Sequence, residues 1–239
     1  MTTVSIVSHG HGHLIPDLVE MLLGFQDVKK IIVTKNIPED CYIRATNRVK
    51  VLENSSPLGF GSNHNAAFRL SEGPFCVLNP DVNFYEDPFP RLLRILNEPR
   101  VGLVAPLVKD EIGQVQDSMR RYPTPQTMIR RVFTRGQSEY EVNENVERFS
   151  PDWVAGMFML FRRTCYEEVA GFDEKFFLYC EDVDICARIR QKKYRLILEP
   201  SVSIQHIGAR MSKKRLSFLS LHIKSMFRLY LKYKNGYPR

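Results

Sequence analysis

Three carboxylates crowd into the end of the segment Gly171-Phe-Asp-Glu-Lys-Phe-Phe-Leu-Tyr-Cys-Glu-Asp-Val-Asp184. Glu181, Asp182 and Asp184 stand directly behind the apolar run Phe176, Phe177, Leu178 and Tyr179. Carboxylates beside so much apolar surface are costly to desolvate unless they are paired or put to use. One at the mouth of an apolar pocket is a candidate general base. The plainer reading is a first helical turn, where acidic residues favour the positive end of the helix dipole.

A second acid follows a different apolar run. Asn79-Pro80-Asp81-Val82 comes straight after Phe75-Cys-Val-Leu78. An aspartate at the carboxyl end of a strand can reach Mg2+ or Mn2+, ions that take oxygen ligands and share them with substrate phosphates. Asn-Pro-Asp is equally a good turn former. His206, ending the stretch near Val202, could add a metal ligand or a phosphate contact, although a lone histidine is more often structural.

Pro57-Leu-Gly-Phe-Gly-Ser-Asn-His-Asn65 sets Gly59 and Gly61 before a helix start, where backbone N–H groups can face an anion or nucleotide. It is neither a P-loop nor GxGxxG, and a glycine turn capped by Ser62 or Asn63 would look the same. His9, His11 and His13 alternate with glycine and have no distant Cys/His set. They read as a flexible loop near a nucleotide rather than as a zinc site.

The elements that must position these groups alternate. Strands are expected at 4–7, 30–34, 49–52, 75–78 and 101–105, with helices at about 14–26, 62–72 and 86–97. Such alternation predicts a mostly parallel sheet with helices on both faces. Ligands bind outside the carboxyl ends of such strands, which gives weight to Ser8, His9, Asn36 and Asp81. From about 108 to 150 the periodicity weakens around Arg120, Arg121, Tyr122 and Pro123, then Arg130, Arg131 and Arg135. A basic loop or short helices suit that stretch. Trp153 to Phe161 returns to the sheet, 164–171 and 182–192 read as helices, and 195–198 and 202–205 as two strands.

At 239 residues, 44% hydrophobic and 26% charged, the chain suits one large α/β domain or two small ones. Its five cysteines show no metal-ligand spacing and read as reduced thiols of a cytosolic protein. The N-terminus reads as a first strand rather than a signal peptide. No apolar run approaches the ~18 residues of a membrane-spanning helix. The net charge of +7 lies wholly in the tail, which from Arg210 onward carries nine Lys or Arg and no acid.

Within that tail, 213–234 reads as a basic amphipathic helix, with Lys224, Arg228 and Lys232 on one side and the stripe Leu216, Leu219, Ile223, Phe227 and Tyr230 on the other. This suits a helix lying on an anionic membrane surface; no motif for nucleic acid accompanies it, so nucleic acid is not expected as a partner. The division expected is a catalytic domain over 1–209 and a membrane-associating tail over 210–239.

These pieces occur in a known order. From Val4 to about Arg210 the chain resembles family 2 glycosyltransferases of the GT-A fold, and within them bacterial O-antigen rhamnosyltransferases. The resemblance rests on Val4-Ser-Ile-Val-Ser8, Gly59-Phe-Gly-Ser-Asn-His-Asn65, Leu78-Asn-Pro-Asp81, Trp153-Val-Ala-Gly156 with Ala155-Gly-Met-Phe-Met-Leu160, Gly171-Phe-Asp-Glu174, Phe177-Leu-Tyr-Cys-Glu-Asp-Val-Asp184 and His206.

The resemblance implies a Rossmann-like fold with a mostly parallel, mixed central sheet. It implies inverting transfer of a sugar, L-rhamnose from dTDP-L-rhamnose, to a hydroxyl of a polyprenyl-diphosphate-linked glycan in O-antigen, lipopolysaccharide or other surface polysaccharide synthesis. A UDP-hexose or galactofuranose transferase is the alternative, and a non-catalytic nucleotide-sugar-binding subunit a remote one.

By the same resemblance Asp182 is the base and Glu181 positions it or binds acceptor. Asp81 is the metal-binding acid for Mg2+ or Mn2+, with Asn79 in place of the motif's first acid and His206 and phosphate oxygens completing the set. The nucleotide-sugar would lie among Ser8, His9, Asn36, Gly59, Gly61, Asn65, Asn79 and Gly156. Lys35 and Asn36 stand where the family often has a base-contacting aspartate, leaving dTDP and UDP both open. Arg120 and Arg210 are candidate acceptor or phosphate contacts. The expected location is the cytoplasmic, inner face of the cytoplasmic membrane, with a homodimer left open.

Overall fold

The computed structural model describes residues 1–44, 46–124, 140, 142, 145–207 and 216–238, without the side chains of 216–218. The main sheet is built from β1 (Thr2–Ser8), β2 (Val28–Lys35), β3 (Val49–Glu53), β4 (Phe75–Leu78), β5 (Val82–Phe84), β6 (Val101–Lys109), β9 (Phe158–Phe161) and β10 (Arg195–His206). Their order across the sheet is β3-β2-β1-β4-β9-β6-β10-β5. A second, two-stranded sheet pairs β7 (Met119–Arg120) with β8 (Trp153–Val154).

Six of the eight main strands share one direction. The reversed ones are β9, antiparallel to both β4 and β6, and β5, antiparallel to β10. The sheet is therefore mixed, mostly parallel. The single return expected over Trp153–Phe161 divides between the two sheets at Gly156. The two strands expected at 195–198 and 202–205 are one strand whose register against β6 shifts between Glu199 and Ser203. That irregularity lets the chain pass Pro200, which has no N–H for a ladder bond.

Alternation along the strands supplies the two cores. Phe75 and Val77 of β4 face one layer, with Ala67 of α2 (Phe60–Phe68), Tyr166 of α4 (Arg163–Glu168), Ile185 and Ile189 of α5 (Glu181–Gln191), and Leu229 and Tyr233 at the C-terminal helix α6 (Leu216–Lys232). Cys76 and Leu78 face the other, with Leu18 and Leu22 of α1 (Ile15–Gly24) and Phe89 and Leu92 of α3 (Phe89–Leu96). Burying a side chain of this size contributes about 1.5–3 kcal/mol.

The strand order reverses beside β1, whose neighbours are β2 and β4. A crevice opens at such a reversal, outside the strands' carboxyl ends. Ser8 and the Asp81 turn border it.

Candidate active site

Asp81 sits in the turn between β4 and β5. That turn is tied to the end of β10, because Ile207 N–H donates to Asp81 O at 2.9 Å and His206 pairs with Val82. The side chains meet as well, with Asp81 Oδ2 3.2 Å from His206 Nε2. On the far side of the ring, His206 Nδ1 lies 3.0 Å from Gln116 Oε1, and Gln116 Nε2 donates to His206 O at 3.1 Å.

That double contact fixes the imidazole chemistry. With its amide nitrogen donating, Gln116 offers its oxygen to Nδ1–H. A neutral ring then turns the unshared pair of Nε2 toward a carboxylate. Only a proton or a cation reconciles the two acceptors. Asp81 Oδ1 is buried and has no partner among the described residues. Burial pushes the Asp81 carboxyl up, but His206, the residue's own backbone N–H and the nearby His11 outweigh it and hold Asp81 below the usual carboxylate range.

These two residues fit a divalent ion that takes its remaining ligands from phosphate oxygens and water. Among the described residues no group of three His, Cys, Asp or Glu could hold a metal unaided.

The acidic pair opens α5. Glu181, Asp182 and Asp184 occupy its first turn and Arg188 and Arg190 its last, the charge order that the helix dipole favours. Asp182 Oδ1 accepts the Val183 N–H at 2.8 Å. Burial raises the Asp182 carboxyl, opposed by the Val183 N–H, the Arg120 guanidinium and the Gly156 N–H. Burial, and then the charge of Asp182, pushes Glu181 well above the carboxylate range; its Oε2 has no partner among the described residues. The pair therefore ionises first at Asp182, which has the donors, while Glu181 keeps its proton.

Asp184 is a different kind of acid. It is fully buried and held by Arg188 at 2.8 Å, Lys232 at 2.7 Å and the Tyr233 hydroxyl at 2.9 Å.

Two adjacent residues join the Asp81 turn to the Asp182 helix. Gly156 N–H lies near enough to the Asp182 carboxyl to favour its ionised form, and Met157 O accepts Asn79 N–H at 2.9 Å. Gly156 is closely packed: a Cβ there would lie 3.1 Å from the Phe60 ring, which would have to give by a few tenths of an ångström. Arg120 reaches the same place from the small sheet, with its Nε 2.9 Å from Asp117 Oδ2 and its guanidinium 5.2 Å from the Trp153 ring centre.

Other candidates serve as scaffolding. Gly59 lets the 177 segment approach, since a Cβ would meet Phe177 O at 2.8 Å, and Phe60 N–H donates to that oxygen at 2.9 Å. A Cβ on Gly61 would strike Phe172 at 2.6 Å. Asn65 accepts from Tyr166 hydroxyl and Phe172 N–H and donates to Phe172 O and Glu174 Oε1. All three fasten the segment leading to Asp182 onto α2.

Asn36 accepts from Leu58 N–H and Asn54, donates to Leu58 O at 3.0 Å and lies 3.2 Å from His9 Nδ1. Its capacity is spent on joining β2 to the Leu58 loop, leaving none for a nucleobase. Ser8 is fully buried beneath this layer, and His9 is exposed beside it. Arg210 lies outside the described residues.

Two participants escaped the sequence reading. Gln116 lies in a stretch without periodicity, and nothing local marks it as the partner of a histidine 90 residues on. His11 lies near enough for its charge to act on Asp81, and its Nδ1 is buried without a hydrogen-bond partner among the described residues. The alternation of His and Gly marks the residue as part of a flexible loop near a nucleotide, without naming Asp81 as its neighbour.

Two solved structures share the fold. The crystal structure of GalNAc-T7 with UDP, GalNAc and Mn2+ superposes at a TM-score of 0.66 with 15% identity, over 87% of this chain and 43% of that one. That of S. aureus TarS 1-349 does so at 0.57 with 14% identity, over 86% of this chain and 60% of that one. The fold is that of the GT-A glycosyltransferases.

The chain belongs to the glycosyltransferase-like family 2, which matches residues 34–231, and is a glycosyltransferase. It is 30% identical to the rhamnosyltransferase WbbL of Escherichia coli K12, over 95% of this chain and 92% of that protein. It is 29% identical to the N-acetylglucosaminyl-diphospho-decaprenol L-rhamnosyltransferase of Mycobacterium tuberculosis over 63% of this chain, spanning about half (52%) of that protein.

Proposed function

We propose that this glycosyltransferase moves L-rhamnose from dTDP-L-rhamnose to a hydroxyl of a polyprenyl-diphosphate-linked glycan, with inversion, in the synthesis of a bacterial surface polysaccharide. The observation that carries the reading is the 156–157 backbone, which joins the Asp182 carboxylate to the turn bearing Asp81. The similarity to two rhamnosyltransferases, one nearly full length, supports the sugar.

In this reading the acceptor oxygen bonds to the anomeric carbon as the carbon–oxygen bond to the diphosphate breaks. The bonding pair leaves with the diphosphate, and the acceptor proton passes to Asp182. Gly156 N–H and Arg120 keep Asp182 ionised enough to take it. Glu181, protonated, spares Asp182 a second adjacent charge. A magnesium or manganese ion held by Asp81 and His206 would neutralise charge on the departing diphosphate.

The tail supports a surface location by a route different from the one expected. Arg228 donates to Lys175 O and Lys232 pairs with Asp173 and Asp184, so two of the three basic residues assigned to the lipid face the domain instead. Leu219, Ile223, Phe227, Tyr230 and Leu231 are turned outward and 51–63% exposed. We infer that this stripe enters the headgroup layer of the inner leaflet of the cytoplasmic membrane, with Lys224 and Lys234 exposed alongside. Among the described residues no helix is long and apolar enough to cross a membrane.

Thermal-shift titration tests the donor. With Mg2+ or Mn2+ present, dTDP-L-rhamnose is expected to stabilise the protein more than UDP-glucose, UDP-galactose or UDP-galactofuranose. A larger shift with any UDP-sugar would replace the donor in this reading.

A further inference from the structure

The backbone just ahead of the acidic pair is strained. Tyr179 and Cys180 both lie in the left-handed region, at φ 71° and 68°. Neither is glycine, and such conformations persist only where the surroundings over-determine them. Cys180 is the N-cap of α5, so its geometry sets where Glu181 and Asp182 point.

The surroundings come from two sides. On one, the start of α2 grips Phe177 through the Phe60 N–H. On the other, α6 touches each successive residue of the turn. Ser225 Oγ donates to Leu178 O at 2.8 Å. The His222 ring stacks on Tyr179, with centroids 4.9 Å apart. Met226 Sδ lies 3.4 Å from Cys180 Sγ. One turn further along, Lys232 and Tyr233 hold Asp184.

We propose that α6 is a positioning element for the transfer reaction: its Ser225, His222 and Met226 clamp the left-handed Tyr179–Cys180 turn and so aim the Asp182 carboxylate. The proposal rests on Asp182 being the base. It makes the helix whose outer stripe suits a bilayer also the back wall of the catalytic turn. A helix packed there merely for stability would defend the whole fold, and its loss would not depend on which residue occupies position 180.

Glycine separates the two cases, because it adopts a left-handed conformation without steric cost. The test uses the 239-residue chain, dTDP-L-rhamnose, a lipid-linked acceptor and Mg2+, and compares kcat and KM for wild type, Ser225→Ala, His222→Ala, Cys180→Gly and Cys180→Gly with Ser225→Ala. Ser225→Ala is expected to lower kcat roughly 10- to 100-fold while leaving KM for the donor within about twofold, as misplacing a catalytic group does. His222→Ala, an exposed position that leaves folding intact, should lower it in the same sense. In the Cys180→Gly background the loss from Ser225→Ala should shrink several-fold, since only Tyr179 then still needs the clamp to hold a left-handed conformation.

Hydrogen exchange over 176–184 reads the clamp without any donor. Ser225→Ala should speed it in the Cys180 protein and speed it less in the Cys180→Gly protein. An unchanged kcat for Ser225→Ala, an equal loss in both backgrounds, or unchanged exchange would overturn the proposal. Asp182→Asn, run alongside, keeps the two claims apart. Full turnover by that variant would remove the base assignment itself. An inactive Asp182→Asn beside a fully active Ser225→Ala would remove the clamp alone.

Discussion

Asp81 and His206 face each other across 3.2 Å, Oδ2 to Nε2, while the other nitrogen of the imidazole is committed to Gln116. While His206 is neutral, both groups offer lone pairs across the β5–β10 pairing, and Asp81 keeps a second oxygen without a partner among the described residues. Buried polar atoms left in that condition are uncommon in folded proteins. A proton on His206 would reconcile the pair, and so would the divalent cation proposed above.

Gln116 should therefore tune metal affinity without being a ligand. Gln116→Leu frees the ring to rotate and to change tautomer, and is expected to weaken Mn2+ binding about 10- to 100-fold in the presence of dTDP. Calorimetry with MnCl2 and dTDP measures it. Unaltered Mn2+ affinity would show that the Gln116 contact does not prepare His206.

Asn65 ties Phe172, Glu174 and Tyr166 to α2 with four hydrogen bonds in a buried setting. Asn65→Ala leaves the Phe172 N–H and carbonyl without partners, at about 1–3 kcal/mol for each buried group. Urea unfolding should show a loss on that scale, with the midpoint moving and the slope unchanged. A variant as stable as wild type would mean that the segment is held elsewhere.

Glu181 should make the protein less stable as pH rises. Its carboxyl, raised by burial and by Asp182, binds a proton in the folded state over a range where the unfolded chain has released it. Folding then carries bound protons, so stability falls as pH climbs from the unfolded value of about 4.3 through the folded one. Glu181→Gln keeps the shape and removes the linkage. It should flatten stability against pH across that window and be the more stable form at its upper end. An unchanged pH slope would contradict a protonated Glu181.

The outward stripe of α6 predicts binding driven by apolar contact more than by charge. Ile223→Asp with Phe227→Asp removes two side chains each able to contribute about 1.5–3 kcal/mol on burial. Co-sedimentation with phosphatidylglycerol-containing liposomes should fall at least about tenfold. Lys224→Gln should matter less. Undiminished co-sedimentation of the double variant would remove the stripe from the membrane account. Deleting the helix would be a poorer test, because it also removes the contacts to Tyr179, Cys180 and Asp184.

The parallel half of the sheet was legible because β-branched runs, helical periods and glycine turns repeat there with little interference. The apolar run Trp153–Phe161 announced burial, but period and composition carry no information on direction. Its reversal between β4 and β6 depends on partners fifty or more residues away. Asp81, His206, Asp182 and Glu181 could be picked out because carboxylates and histidine at strand or helix ends are chemically conspicuous.

Roles were harder to read than positions. Gly59, Gly61 and Asn65 looked like a nucleotide loop, but close approach to a backbone and close approach to a ligand demand the same residues. The tail's hydrophobic periodicity was plain. The side turned to the domain carries Leu229 and Tyr233 in the core, Met226 packed against it and Lys232 paired with Asp173 and Asp184, a choice among faces that the sequence pattern alone does not make.

The most direct measurement is the turnover of Asp182→Asn with dTDP-L-rhamnose and a lipid-linked acceptor, beside circular dichroism and melting temperature for the same preparation. The loss of a general base predicts a kcat lower by ~10²–10⁴ in a protein that folds and melts like wild type. A folded Asp182→Asn enzyme turning over at the wild-type rate would contradict the assignment of the base.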